Sequence, residues 1–176
     1  MPFSTLIRWG GLVAVVAAAL FVIIDLIGLF FVLAQGSKVG LLFRDMVTEY
    51  ARALLLVGLV ALYAHQFRAV GVPGLVGFLE AFVGMALGPL GLVWPAVLAS
   101  VGWILFGAVS LFAEVYSSAA VILLIIGGGL SGIVNALIGS GLLRGNLLFG
   151  ASAMIVDIIF AAATAWLGFN LFTRRN

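Results

Sequence analysis

The sequence predicts an all-α, polytopic integral membrane protein, a helical bundle of about six transmembrane helices joined by short loops. Of the 176 residues, 65% are hydrophobic and only 8% are charged, and the mean hydropathy is +1.38. A soluble domain carries about 25% charged residues, so this composition excludes a soluble fold. The hydrophobic runs of this sequence are apolar on every face for about 20 residues, whereas the strands of a membrane β-barrel alternate polar and apolar residues over about 10. We therefore expect a single helical transmembrane domain.

Turn residues divide the chain into its predicted spans. The segment Gly71–Gly74, which contains Pro73, ends the second apolar run. The following stretch, 74–113, is too long for one crossing, because a helix rises about 1.5 Å per residue against a core of about 30 Å. Gly88–Gly91 and Pro95 mark the break in it. The predicted spans are 10–33, 47–66, 74–92, 95–113, 118–139 and 147–172. The alternative is that 74–113 forms a re-entrant hairpin.

The residue types exclude several classes of chemistry. The chain has no cysteine, which excludes disulfides, thiolate metal ligands and cysteine nucleophiles. It has one histidine, so neither a paired-histidine metal site nor an HExxH motif can form. Its cations are scattered among connectors and termini, without the basic stripe of a nucleic-acid-binding protein. We expect no enzyme, no metal, no cofactor and no nucleic-acid partner; the lipid bilayer is the expected surrounding.

The charges also bear on orientation. Six crossings place both termini on one side, and the cations outside the spans slightly favour the cytoplasm for that side. The first run, 10–33, is longer than the apolar core of a signal peptide and carries Asp25, so we interpret it as a retained span. The predicted location is the bacterial plasma (inner) membrane, multi-pass, with both termini cytoplasmic.

Three carboxylates lie inside apolar runs: Asp25, Asp157 and Glu80. An ionised carboxylate at the bilayer centre costs roughly 3 kcal/mol by insertion scales, so each is expected to face the bundle interior, hold a proton or pair with a cation. Counting residues at about 1.5 Å each places Asp25 and Asp157 at matching depth near the midplane. If the first and last helices are neighbours, these two side chains could share a proton.

Other polar residues extend this hypothesis. Arg52 lies near the outer end of the second span, the end from which the depths of Asp25 and Asp157 are counted. We predict that its side chain contacts Asp25 or Asp157. Glu49, three residues earlier on the same helix face, is a competing partner for Arg52. On the opposite side, His65 and Glu80 are close enough along the chain to meet. Together these residues outline an intramembrane polar site for an ion or a proton. His65 is also the only candidate ligand for a pigment.

Glycine spacing predicts where helices pack closely. Three small-xxx-small pairs occur, and small side chains let helix backbones approach each other in a membrane. They are Gly84 with Gly88, Gly128 with Gly132, and Gly141 with Gly145. Packing within the chain is the first interpretation, and contact with another subunit or a second copy is the alternative.

Several apolar segments resemble small multi-pass bacterial membrane proteins of unknown function. The segments are Ala51–Gln66, Gly74–Leu79, Trp103–Gly107 and Ala165–Phe172. The resemblance covers most of the chain as apolar patterning, and the connector between the third and fourth spans is shorter here. It implies the six-span layout and carries no activity.

Three functions therefore remain open. The first is a non-catalytic accessory or packing subunit of a membrane complex, or a small oligomer. The alternative is a small transporter or a proton or ion pathway that uses the intramembrane carboxylates. The third is a pigment or lipid binder. Intramembrane acids that are hydrogen-bonded within the chain would favour the accessory subunit. A polar cavity that reaches these acids would favour the transporter, and a His65 side chain that faces a large planar gap would favour the pigment binder.

Overall fold

Helices make up the described part of the chain. The computed structural model describes residues 3–35, 38–90, 92–141 and 147–173. Its helices are α1 (Phe3–Gln35), α2 (Lys38–Leu87), α3 (Val93–Phe112), α4 (Ser118–Gly139) and α5 (Leu147–Thr173), with a short 3₁₀ turn at Gly88–Leu90. Within these ranges there is no strand. The predicted all-α class is confirmed.

Five of these helices are long and apolar enough to cross a membrane, which marks the protein as membrane-embedded by length and composition. The sequence predicts six. The difference arises in α2, because the predicted second and third spans are two helical segments that are counted together across a kink at the non-helical residue Gly71. Gly71 takes φ 56° and ψ −151°, a conformation nearly restricted to glycine. Pro73 then lies in the first turn after the bend, where a missing N–H is tolerated.

The bend turns α2 back on itself, so that residues 38–70 form a first arm and residues 72–87 a second arm. The rings of Tyr63 and Phe78 stack with their centroids 4.4 Å apart. In a straight helix these residues would be about 22 Å apart. Gly88, just beyond the second arm, lies against the guanidinium of Arg52 in the first arm. The two arms are therefore antiparallel neighbours over most of their length.

The helices form a closed ring in chain order. α1 packs against α2, the second arm of α2 against α3, α3 against α4, α4 against α5, and α5 against α1. The connector after α3 folds inward, since the Tyr116 hydroxyl donates to the carbonyl oxygen of Leu62 at 2.9 Å. The first and last helices are thus neighbours, which is the condition for Asp25 and Asp157 to approach each other.

Small residues allow the closest crossings of α1 with its two neighbours. A methyl group placed on Gly11 would lie 2.6 Å from the Gly168 carbonyl oxygen, and one on Gly168 would lie 2.6 Å from the Gly11 carbonyl oxygen. On the other side of α1, a methyl group on Gly58 would lie 2.7 Å from the Cβ of Ala14. Backbone contact of this kind is the usual way in which membrane helices associate.

The predicted glycine pairs have different surroundings. Gly84 lies against the backbone of α3 near Pro95, and Gly128 and Gly132 lie against Trp103 and Ser100 of the same helix. A methyl group placed on Gly88 would lie nearest to the side chain of Arg52, with Nη1 at 3.0 Å. Gly141 has φ 84°, and a methyl group placed on it would meet nothing within 4 Å, because this residue terminates α4 in a turn. Gly145 lies outside the described residues.

Candidate functional site

Asp25 and Asp157 are both buried on neighbouring helices. Asp25 of α1 is 1% exposed and Asp157 of α5 is 9% exposed. Distances along the helices are counted from the point where Gly11 of α1 crosses Gly168 of α5. At about 1.5 Å per residue, Asp25 lies about 21 Å from this crossing and Asp157 lies about 17 Å from it, in the same direction. They lie towards the same end of the bundle, within roughly one helical turn of the same height. Sharing of a proton between them stays a prediction.

Asp157 receives a hydrogen bond from α4. The Ser131 hydroxyl donates to Oδ1 of Asp157. One turn further along α4, Nδ2 of Asn135 donates to the Ser131 carbonyl oxygen at 2.9 Å and to its hydroxyl at 3.2 Å. A relay of hydrogen bonds thus runs from Asn135 through Ser131 to the carboxylate, and it fixes the orientation of Asp157.

A cavity of about 310 Å³ opens beside this relay. Its polar lining comes from two opposite parts of the ring, α2 on one side and α4 with α5 on the other. Polar and charged lining residues are Thr48, Glu49, Arg52, Ser131, Asn135 and Asp157. Aromatic and sulfur-containing lining residues are Phe21, Met85, Trp103 and Phe160. The cavity lies at the end of the bundle where α1 and α4 finish, opposite the end where α1 begins and α5 finishes.

An aromatic cluster and an apolar core close the cavity towards the other end. The Trp103 ring meets the Phe160 ring edge-on at 4.8 Å and the Phe106 ring at 6.2 Å. Beyond them, Leu124 and Leu167 are almost fully buried. The polar volume therefore reaches about halfway through the bundle from one end.

Arg52 lines the cavity and pairs with Glu49. Its Nη1 donates to both carboxylate oxygens of Glu49, at 2.7 and 2.8 Å. The expected ion pair with Asp25 or Asp157 is not formed among the described residues. Glu49 is favoured over the two aspartates as the partner of Arg52 because it lies three residues earlier on the same helix face. A contact at this spacing does not depend on how other helices pack.

His65 and Glu80 are placed apart from the cavity. The ring of His65 lies 5.7 Å from that of Tyr116, so His65 faces the connector between α3 and α4. Glu80, in the second arm of α2, is partly buried, and its Oε2 has no hydrogen-bond partner among the described residues. No hydrogen bond or ion pair joins Glu80 to His65 in the described part of the structure.

Asn135 is among the residues that the sequence predicts to hydrogen-bond the buried acids, whereas it predicts no role for Ser131 or Gln66. Ser131 and Asn135 are one turn apart on α4, and that spacing beside Gly128 and Gly132 was the available signal. Gln66 of α2 is 1% exposed, and neither its amide nitrogen nor its amide oxygen has a hydrogen-bond partner among the described residues. A glutamine near the predicted end of a span gives no signal of burial.

Among the described residues, no three histidine, aspartate or glutamate side chains converge on a point that could hold a metal ion. Comparison with protein-family models, curated proteins and solved structures finds no match for this chain.

Proposed function

We propose that the chain is a non-catalytic, multi-pass protein of the bacterial plasma membrane that takes a small polar solute into its cavity and passes it across the bilayer. The observation that carries this proposal is the cavity itself, which joins buried Asp157 to the Arg52–Glu49 pair inside an apolar bundle. Ionisable groups at this depth are costly and mark substrate or ion pathways. A polar cavity that reaches an intramembrane acid is the feature that favours a transporter.

The proposal includes six crossings. The second arm of α2 brings Gly88 back to the level of Arg52, close to where the first arm enters. α3 then begins at that same end, so each arm of α2 counts as one crossing. Both termini lie on one side, which we assign to the cytoplasm, and the cavity then faces the outside of the cell.

The absence of natural cysteine makes accessibility simple to measure. Asn135→Cys places a thiol in the cavity, and Ile126→Cys places one on an exposed apolar face of the same helix. In intact cells, a membrane-impermeant thiol reagent should label Asn135→Cys and leave Ile126→Cys unlabelled. Labelling of Asn135→Cys only after the cells are opened would contradict the proposed orientation.

Transport is tested in proteoliposomes by solute-evoked currents and by uptake. Cationic, zwitterionic, anionic and neutral solutes and a pH step are applied in turn. At least one should give a current that Asp157→Asn abolishes and Glu114→Gln, an exposed acid of the α3–α4 connector, leaves unchanged. Absence of flux for every class, with the cavity still labelled, would exclude transport.

A second candidate is an accessory subunit of a membrane complex. It is favoured by the hydrogen bond from Ser131 to Asp157 and by the internal pairing of Glu49 with Arg52, which satisfy these acids within the chain. Purification in a mild detergent, followed by mass spectrometry of co-eluting membrane proteins, tests it. A stoichiometric partner would support this candidate, and a chain that elutes alone would count against it.

A further inference from the structure

We propose that Gln66 forms a second polar site on the pathway of the transported solute and binds a carboxamide or urea-type group of that solute, an assignment that rests on the proposed function. Gln66 is 1% exposed, and neither its amide nitrogen nor its amide oxygen has a hydrogen-bond partner among the described residues. An unpaired amide is costly inside an apolar bundle. A solute group that pairs with it during transport accounts for its presence.

Gln66 lies on the face of α2 that leads to the cavity. At intervals of three or four residues, this face carries Arg52, Leu55, Leu59, Leu62 and Gln66. The three leucines and Gln66 are each at most 1% exposed, and Arg52 lines the cavity. Gln66 is therefore about 21 Å from Arg52 along the interior of the bundle, beyond a barrier of three leucines.

The connector between α3 and α4 covers this end of the interior. Tyr116 of the connector is 7% exposed, and its hydroxyl donates to the carbonyl oxygen of Leu62 at 2.9 Å, one helical turn from Gln66. The connector also contains Glu114 at φ 51°, a conformation that is strained for a residue with a Cβ. A strained connector that is anchored through a side chain is the part that moves when Gln66 becomes accessible.

The two unpaired atoms of the Gln66 amide define the chemistry of the ligand. The nitrogen donates and the oxygen accepts, so the complementary group presents an acceptor next to a donor. A carboxamide or a urea does this. A carboxylate offers only acceptors and an ammonium only donors, so either would leave one atom of Gln66 unpaired. The cavity suits the same class of solute, since Asn135 brings a side-chain amide to its lining.

Accessibility of position 66 is the first test, because it needs no solute. The chain has no natural cysteine, so Gln66→Cys carries the only thiol. In oriented membrane vesicles, an impermeant thiol reagent should label Gln66→Cys from the membrane face opposite to the one that labels Asn135→Cys. Val70→Cys is the control, since Val70 is 4% exposed and lies closer to the end of the same arm. No labelling of Gln66→Cys, or equal labelling of Val70→Cys, would overturn the proposal.

The role of the connector is tested by Tyr116→Phe in the Gln66→Cys background. This substitution removes the hydroxyl that bonds to the Leu62 carbonyl oxygen, so the labelling rate of Gln66→Cys should rise severalfold. An unchanged rate would overturn the assignment of the connector as the cover of the site.

Uptake of asparagine and leucine by proteoliposomes tests the assigned solute group, because these zwitterions have side chains of the same shape and only asparagine carries a carboxamide. Asparagine should be taken up and leucine should not. Gln66→Leu should lower asparagine uptake about tenfold or more, because a hydrogen-bonded contact with the solute is lost. The same variant should be more stable than the wild type, which a merely structural role of Gln66 would not produce. Ser110→Ala, which alters a buried hydroxyl bonded within its own helix, should leave uptake unchanged.

The two proposals can fail separately. If leucine is taken up as fast as asparagine, or if folded Gln66→Leu keeps the wild-type uptake, the assignment of Gln66 is wrong and transport through the cavity stands. If Gln66→Cys is labelled from the face opposite to Asn135→Cys and no solute of any class is taken up, the opening at Gln66 is real and the transport function is wrong.

Discussion

The ring of Tyr63 stacks on the ring of Phe78, with the planes inclined by only 15°. These residues belong to opposite arms of α2, so the contact closes a helical hairpin. It lies about two turns from the bend at Gly71 and holds the arms side by side. Phe78 also packs against Phe82, at 5.7 Å between ring centroids, which extends the aromatic seam along the second arm.

The hairpin depends on the backbone conformation of Gly71. Replacing Gly71 by alanine should destabilise the protein by about 1–3 kcal/mol, because a residue with a Cβ is strained at this φ and ψ. Space is not the cause, since the added methyl group would meet only Pro73, at 4.0 Å. The free energy of unfolding is measured in mixed micelles of mild detergent and SDS. Gly150→Ala, in α5 with nothing within 4 Å, is the control, and equal effects of the two would contradict the strain argument.

The bend shows what sequence patterns can and cannot specify. Gly71 and Pro73 predicted a turn at the correct place, because their backbone preferences are local. These preferences do not specify how the two arms pack after the turn. Tyr63 and Phe78 stack across the hairpin, and their contact joins residues that no local pattern relates.

The candidate site illustrates the same limit. The cost of charge in hydrocarbon identified Asp25 and Asp157 as interior residues, and both are buried. The partners of the polar residues were less predictable, since they depend on the rotation of each helix about its axis. Arg52 therefore pairs with Glu49 on its own helix, and Ser131 reaches Asp157 from α4.

The close crossing of α1 and α5 predicts that substitution of its glycines also destabilises the protein strongly. Gly168→Ala should cost about 1–3 kcal/mol, because a methyl group at 2.6 Å from the Gly11 carbonyl oxygen forces the helices apart. Gly11→Ala should do the same, and the double variant should cost less than the sum because one separation relieves both clashes. Additive losses would show that the two positions are energetically independent. Gly150→Ala again serves as the control.

The buried amide of Gln66 predicts a stabilising substitution. Gln66→Leu should raise the free energy of unfolding by about 1–3 kcal/mol, because it removes two buried polar groups that lack partners among the described residues. Gln66→Ala separates polarity from volume, and it should leave a cavity and be less stable than the leucine variant. If Gln66→Leu destabilises the chain as much as Gln66→Ala does, the amide is hydrogen-bonded in the membrane.

The Arg52–Glu49 pair makes the last prediction, which links the ion pair to the proposed transport. Arg52→Gln should change the solute-evoked current in proteoliposomes, because a neutral amide replaces the guanidinium in the lining of the cavity. The free energy of unfolding should change by less than about 1 kcal/mol, since a partly exposed pair within one helix contributes little. The control is Arg68→Gln. The guanidinium of Arg68 lies 5.5 Å from the Phe67 ring near the opposite end of the bundle, so this substitution should leave the current unchanged. An unchanged current with folded Arg52→Gln would show that the solute does not pass the Arg52–Glu49 pair.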